Sequence, residues 1–161
     1  MIVRKDARPA DHDAEERLDY SEVGGLTQFG AYVETLQPGS RSSERHWHEE
    51  SDELLYMLSG KATVIEDDGA HQLRRGDAAC WPAGAPNAHQ VLNRSEEPCT
   101  FLIFGTRMAH DIVHYPDVGR TLHDEDGIWR LQSDDGTLIK GGEIEQVRPL
   151  TRWEPKGDQL P

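Results

Sequence analysis

The chain has no apolar run long enough to cross a bilayer. Its longest, "LLYML" and "FLIF", fall far short of the roughly 20 residues a spanning helix needs. It is also short of cations, with 17 Lys and Arg against 30 Asp and Glu in 161 residues, a net charge of −13. That field repels a phosphate backbone or an anionic membrane, and no basic cluster offsets it, so no nucleic acid and no membrane is expected as a partner. Cysteine is scarce. Cys80 and Cys99 both sit in apolar runs and read as reduced, buried small hydrophobes rather than as a disulfide. The opening "MIVRKDARPADHD" lacks the apolar segment of a secretory signal. There is neither an internal repeat nor a low-complexity tract. The expectation is one soluble, cytoplasmic domain with arms, long enough to bury a core without staples.

What is there is a series of short apolar runs. "TQFGAYVETL", "ELLYML", "ATVIE", "HQLR", "AACWP", "HQVLN" and "CTFLIFGT" are rich in β-branched, aromatic and aliphatic residues. Between them stand "QPGS", "SGK", "DDGA", "RRGD", "PAGAPN" and "RSEEP", all with turn chemistry. Many closely spaced strands without helical periodicity predict an all-β sandwich or closed barrel. "DAEERLDY" reads as a short helix or a loose arm. From His110 onward no sustained apolar period appears, and the chain is expected to be irregular there. The boundaries drawn are an N-terminal arm over 1–20, a barrel over 21–109 and an extension over 110–161, packed on the barrel or a partner.

The stretch "RHWHEESDELLYMLSG", residues 45–60, holds the densest chemistry. On a strand, residues i and i+2 share a face, so His46 and His48 project together while Trp47 points away. "EESD" turns the chain and "ELLYML" returns as a second strand, bringing Glu53 beside the imidazoles with Leu55 and Met57 on the same inner face. Leu54, Tyr56 and Leu58 are expected to pack behind. Later, His89 opens a strand after a Pro/Gly turn. Three imidazoles and a carboxylate suit a first-row divalent metal and leave positions open for water or substrate. A substrate site or a solvated turn are the other readings of such a cluster.

The arrangement resembles the cupin superfamily, whose first motif reads G-x5-H-x-H-x3,4-E-x6-G and whose second reads G-x5-P-x-G-x2-H-x3-N. Here the first runs Gly39, His46, His48, Glu53, Gly60, one residue longer before His46. The second runs Gly76, Pro82, Gly84, His89, Asn93, with four residues instead of two between Gly84 and the histidine. Asn87 stands at the usual ligand position, and the intact H-x3-N frame favours a bulged turn with His89 as ligand. The resemblance covers residues 27–107 and extends into "GTRMAHDIVHYPDVG". It implies a double-stranded β-helix, a small jelly-roll-like antiparallel barrel holding one divalent transition metal (Fe, Mn, Ni or Zn) through His46, His48, Glu53 and His89. Cupins commonly pair, so a homodimer is expected. The superfamily hosts dioxygenases, isomerases, lyases and binding proteins, and some small bacterial members carry a sugar-phosphate isomerase label.

Two functions follow from that resemblance: a metal-dependent enzyme on a small oxygenated substrate, or a metal-dependent binding or sensor protein without turnover. Within the first, dioxygenase chemistry is favoured over sugar-phosphate isomerisation, because no cationic cradle for a phosphate is visible. No catalytic general base beyond the ligands stands out. Glu49, Glu50 and Asp52 read as the acidic outside of the turn, and His71 as a surface or strand-edge residue. His110, His114 and His123 are not expected to form a second metal site, since "VHYPDVG" breaks any helix aligning the first two. Trp81 and Tyr56 read as core or interface, Arg107 as a structural ion pair, and "DDGA" as a hairpin turn.

Overall fold

The computed structural model describes residues 2–4 and 17–143. The elements run β1 (Arg17–Asp19), α1 (Tyr20–Gly24), β2 (Phe29–Leu36), β3 (Trp47–His48), β4 (Glu53–Ser59), β5 (Lys61–Glu66) and β6 (Gly69–Arg74). They continue with β7 (Ala78–Trp81), β8 (Gln90–Leu92), β9 (Cys99–Thr106), β10 (His110–Tyr115), β11 (Arg120–Glu125), β12 (Ile128–Ser133) and β13 (Leu138–Glu143). Each of the seven expected apolar runs contains one strand. Of "DAEERLDY", read as a short helix or a loose arm, residues 13–16 lie outside the described residues; Arg17–Asp19 form β1, and α1 begins at Tyr20, capped by Asp19, whose carboxylate accepts from the Glu22 amide.

One sheet has the order β1-β2-β9-β4-β7, a second β13-β12-β11-β10-β3, and a third β6-β5-β8. Bridges from His46 to His89 and from Arg41 to Leu92 link the segment around β3 to that around β8, joining the last two sheets into one wall. The first sheet packs against it through a single core: Leu36, Leu55, Met57, Phe101 and Ile103 on one side, Ala62, Val64 and Val91 on the other. Register explains the selection. Leu36 faces Cys99 across β2 and β9, while Leu55 faces Ile103 and Met57 faces Phe101 across β4 and β9, so alternate residues of all three strands point inward.

The turns are set by few residues. Gly60, at φ 72° between β4 and β5, lies so close to the β9 entry that a Cβ there would stand 2.5 Å from the Pro98 carbonyl oxygen. Asp126 and Gly127, both at positive φ, form the two-residue loop between β11 and β12.

Three expectations are corrected. Residues 110–143 are not irregular: β10 to β13 extend the sheet that begins with β3, so the boundary at 109 does not end the barrel wall. Their pattern was hidden because charged and polar residues sit on both faces of half-buried strands. Tyr56 and Leu58 do not pack behind β4 but lie 42% and 37% exposed on the outer face. Of the cysteines only Cys99 is buried; Cys80 faces outward from β7, and both are free thiols. The rest of the expected C-terminal extension, 144–161, and most of the N-terminal arm lie outside the described residues. No described helix is long and apolar enough to cross a membrane.

Candidate metal centre

His46 precedes β3 and His48 ends it, and their ring centroids lie 5.3 Å apart on one side of the strand. Trp47 points away, as alternation requires, and stacks on His114 at 4.2 Å. Glu53 arrives by another route than the hairpin expected from sequence. β3 pairs with β10, whereas β4 lies between β9 and β7 in the other sheet. The connection crosses from wall to wall because its two ends bond to different strands. The Glu49 amide donates to the Ile112 carbonyl of β10, and the Asp52 carbonyl accepts from the Thr106 amide of β9. The histidines and the carboxylate therefore meet across the barrel, their ligand atoms all within 4.8 Å of one another.

His89 lies beside this group, its ring centroid 4.7 Å from that of His46. The two extra residues of its turn are absorbed as a bulge: the Gly84 amide donates to the His48 carbonyl, and Asn87 turns aside to accept from the Asp67 amide at 3.1 Å. The chain then re-enters with Ala88 buried, and His89 exchanges both backbone hydrogen bonds with His46. Asn93, the last residue of the motif, is a structural clasp, donating to the Leu36 and Glu97 carbonyls.

Hydrogen bonding fixes what faces the centre. His46 Nδ1 lies 2.8 Å from the Glu44 carbonyl, which can only accept, so this nitrogen carries the proton and the neutral ring keeps its lone pair on Nε2. Burial, aided by the nearby His89, lowers the His46 pKa and favours that neutral form. His48 Nδ1 donates in the same way to Asp111 at 2.7 Å. Burial opposes the Asp111 charge, but the bonds from His48, the Glu50 amide and Ser51 outweigh it and hold the carboxyl at about 2. Glu53 behaves alike: burial raises its pKa, but the three imidazoles lower it further, so it remains a carboxylate.

His89 is the residue without a partner. It is 2% exposed, stacked on Trp81 at 3.7 Å, and neither ring nitrogen makes a hydrogen bond. Its Nε2 stands 3.6 Å from Glu53 Oε1, longer than a hydrogen bond. Leaving a buried imidazole unsatisfied is costly. Lone pairs from His46, His48 and Glu53 beside it make a donor set that fits a divalent metal, with outer partners already holding two of the rings.

The other candidates go elsewhere. Glu49 bonds His114 at 2.7 Å, Asp52 accepts from the Ala83 amide, and His123 bonds Thr121. His71 bonds Asp68 and joins Glu66 in a second cluster, but Asp68 and His71 are exposed and Glu66 is held by the Trp81 indole at 2.6 Å. Among the described residues Arg107 has no ion-pair partner; it bonds the Leu26 carbonyl and Ser21. Asp111 and Tyr115 had gone unnoticed. Both lie on β10 with buried Val113 between them, and that alternation was the available signal.

The family profile described as "Cupin domain" matches residues 32–105. A solved structure from Silicibacter pomeroyi, named a sugar phosphate isomerase from a cupin superfamily, is 35% identical over 81% of this chain and 85% of its own, with a TM-score of 0.73. The chain belongs to the cupin superfamily. Its barrel is accordingly the double-stranded β-helix. A second structure, from Acidithiobacillus ferrooxidans and provisionally given the same isomerase name, is 30% identical over 74% of this chain and 77% of its own, TM-score 0.69. A third, from Thermus thermophilus, is 28% identical over 66% of this chain and 97% of its own, TM-score 0.51. No curated protein matches the chain. Both isomerase-named structures match more of this cupin than the 32–105 profile does.

Proposed function

We propose that this cupin is a metal-dependent enzyme acting on a small oxygenated molecule, with His46, His48, Glu53 and His89 holding one divalent transition metal. The observation that carries the reading is His89, a buried imidazole with both nitrogens unpartnered, facing two lone-pair nitrogens and a carboxylate. Bound there, the metal supplies a Lewis acid for a carbonyl, enediol or carboxylate, and, if it is iron, a site for O2. The chain's own residues do the rest. Glu44 and Asp111 keep the Nδ1 protons of His46 and His48 on the outer side, so that both Nε2 atoms stay free. Tyr115 lines the adjoining cavity with its ring 5.7 Å from that of His46, and burial raises its pKa, so its phenol holds a proton to donate.

The isomerase names of the two similar structures favour proton transfer between carbons of a hydroxycarbonyl compound. The acidity of this chain, −13 overall, favours oxygen chemistry over handling a phosphate ester. Metal analysis of protein purified without added metal, then anaerobic iron loading with an oxygen-uptake screen, tests the reading. One bound ion, lost on substituting His89, supports it, and oxygen consumption with a hydroxy acid or hydroxyketone favours the oxygenase branch. A protein that binds no divalent metal sinks it.

The homodimer also remains a proposal, and the outer face of the first sheet is where a second copy fits. The outward residues of its strands include Phe29, Val33, Leu54, Tyr56, Leu102 and Phe104, and none of those on β2, β9, β4 and β7 is charged. On so acidic a chain this is the face on which two copies meet without opposing like charges.

A further inference from the structure

Two of the three proposed imidazole ligands are oriented by hydrogen bonds on their outer side, His46 by the Glu44 carbonyl and His48 by Asp111. His89 has no such bond, since neither of its ring nitrogens has a partner. The torsion that turns an imidazole about its Cβ–Cγ bond has broad minima, so an unbonded ring needs another constraint to keep a nitrogen on the metal. That constraint is the Trp81 indole, stacked on His89 at 3.7 Å and 9° from parallel. Trp81 also lies opposite Glu53 in the β4–β7 ladder, so one ring stands beside two of the four ligands.

An indole turns about a torsion just as broad, so the stack transmits orientation only if the indole is itself held. Trp81 is 5% exposed, and its Nε1–H, the one polar group of the ring, donates to Glu66 Oε1 at 2.6 Å. Glu66 is placed for this. On β5 the inward residues Ala62 and Val64 are buried, and Glu66 continues their alternation at the strand's end. Ile65 pairs with Gln90, which brings this end of β5 beside His89. A carboxylate at an inward position is costly unless it is hydrogen-bonded. The Glu66 side chain is only 20% exposed, and its second oxygen lies 3.7 Å from His71 Nε2, a nitrogen already bonded to Asp68 at 2.7 Å. Among the described residues the indole is therefore the hydrogen-bond partner of this carboxylate.

We propose that Glu66 is a positioning residue for the metal centre: by holding the Trp81 indole it fixes the plane of His89, as Glu44 and Asp111 fix the other two rings. This rests on the metal reading of the site and adds to it a residue that lies between the two cupin motifs and in neither. The test uses the full-length protein and measures zinc affinity by competition with a chromophoric chelator, the visible absorption of the cobalt(II)-saturated form, and Tm. Glu66→Leu is expected to weaken zinc binding by about 10-fold, the low end of the loss that follows removal of an outer partner, and to shift the cobalt band. Glu66→Gln keeps an acceptor for the indole and is expected to stay within about 3-fold of the parent, with the parent's spectrum. Trp81→Phe keeps a ring for the stack but cannot donate, and should weaken zinc by about the same factor as Glu66→Leu. Adding Glu66→Leu to Trp81→Phe should then cost no more than about 2-fold further, because both act through one bond. A Glu66→Leu protein with a lowered Tm but the parent's zinc affinity and cobalt spectrum overturns the proposal. So does a Glu66→Gln protein as impaired as Glu66→Leu, or a double variant in which the two losses add in full. Should Glu66→Leu fail to fold, Trp81→Phe decides, and parent-like zinc affinity there overturns the proposal. A parent chain that binds neither zinc nor cobalt overturns the metal reading itself, and this inference with it.

Discussion

At the scale of single residues, the centre depends on side chains that the motif names and on others it does not. His89→Ala should weaken metal binding by more than the roughly 10–100-fold that accompanies loss of an outer partner. It also removes the stack on Trp81, about 0.5–1.5 kcal/mol, so the variant is expected to fold with a lowered Tm. Asn87→Ala should leave metal affinity within about 2-fold of the parent, since Asn87 bonds only the turn after β5. Titration calorimetry on both variants decides between them, and a reversed order would mean the second motif is assigned wrongly. Asp111→Asn should cost about 10–100-fold in affinity, by leaving His48 Nδ1 with a weaker acceptor. The four proposed ligands were legible because alternation and motif spacing depend only on neighbours in sequence. Asp111 was not, because it meets His48 from 63 residues away through a strand pairing that no local pattern encodes.

Among the elements, the hairpins depend on glycines and on acceptors at their tips. Gly60→Ala would press a Cβ to within 2.5 Å of the Pro98 oxygen from a positive φ, and should destabilise the protein by about 2–4 kcal/mol in urea unfolding. The turn between β12 and β13 is held by Asp135, which accepts from the Ser133 hydroxyl and the Thr137 amide and is thereby depressed to about 2. A carboxyl depressed in the folded state stabilises it above the ordinary carboxylate pKa of about 3.9, and that contribution is lost as pH falls towards 2. Amide exchange in this hairpin should therefore quicken between those limits relative to the rest of the barrel, and Asp135→Asn should remove the dependence. The seven barrel strands were legible from apolar runs and turn residues. β10 to β13 were not, although Asp126–Gly127 is a strong two-residue hairpin signal, because strands such as Arg120–Glu125 carry charge on both faces.

For the molecule as a whole, surface charge and strand order set the testable behaviour. Phe104, 39% exposed and 6.2 Å from Phe29, lies on the uncharged outer face. Light scattering should report a dimer for the parent chain and a monomer for Phe104→Glu, each with unchanged metal content; a parent that stays monomeric over a wide concentration range counts against the dimer. The placement of β3 governs something else. One neighbour of this stretch is the segment at His89, which bridges to His46 just before the strand, and the other is β10, so His48 gains its second flank only once residues 113 and 114 are in place. On a ribosome, both cupin motifs emerge well before the strand that fixes His48. Pairing between partners so distant in sequence carries a loop-closure cost and forms late. A nascent chain stopped near residue 109 would therefore carry every proposed ligand yet lack Asp111, leaving His48 free to turn. The site is expected to be among the last parts of the molecule to mature, and pulse-labelling during refolding should find protection at β3 and β10 appearing together, after that of β4 and β9.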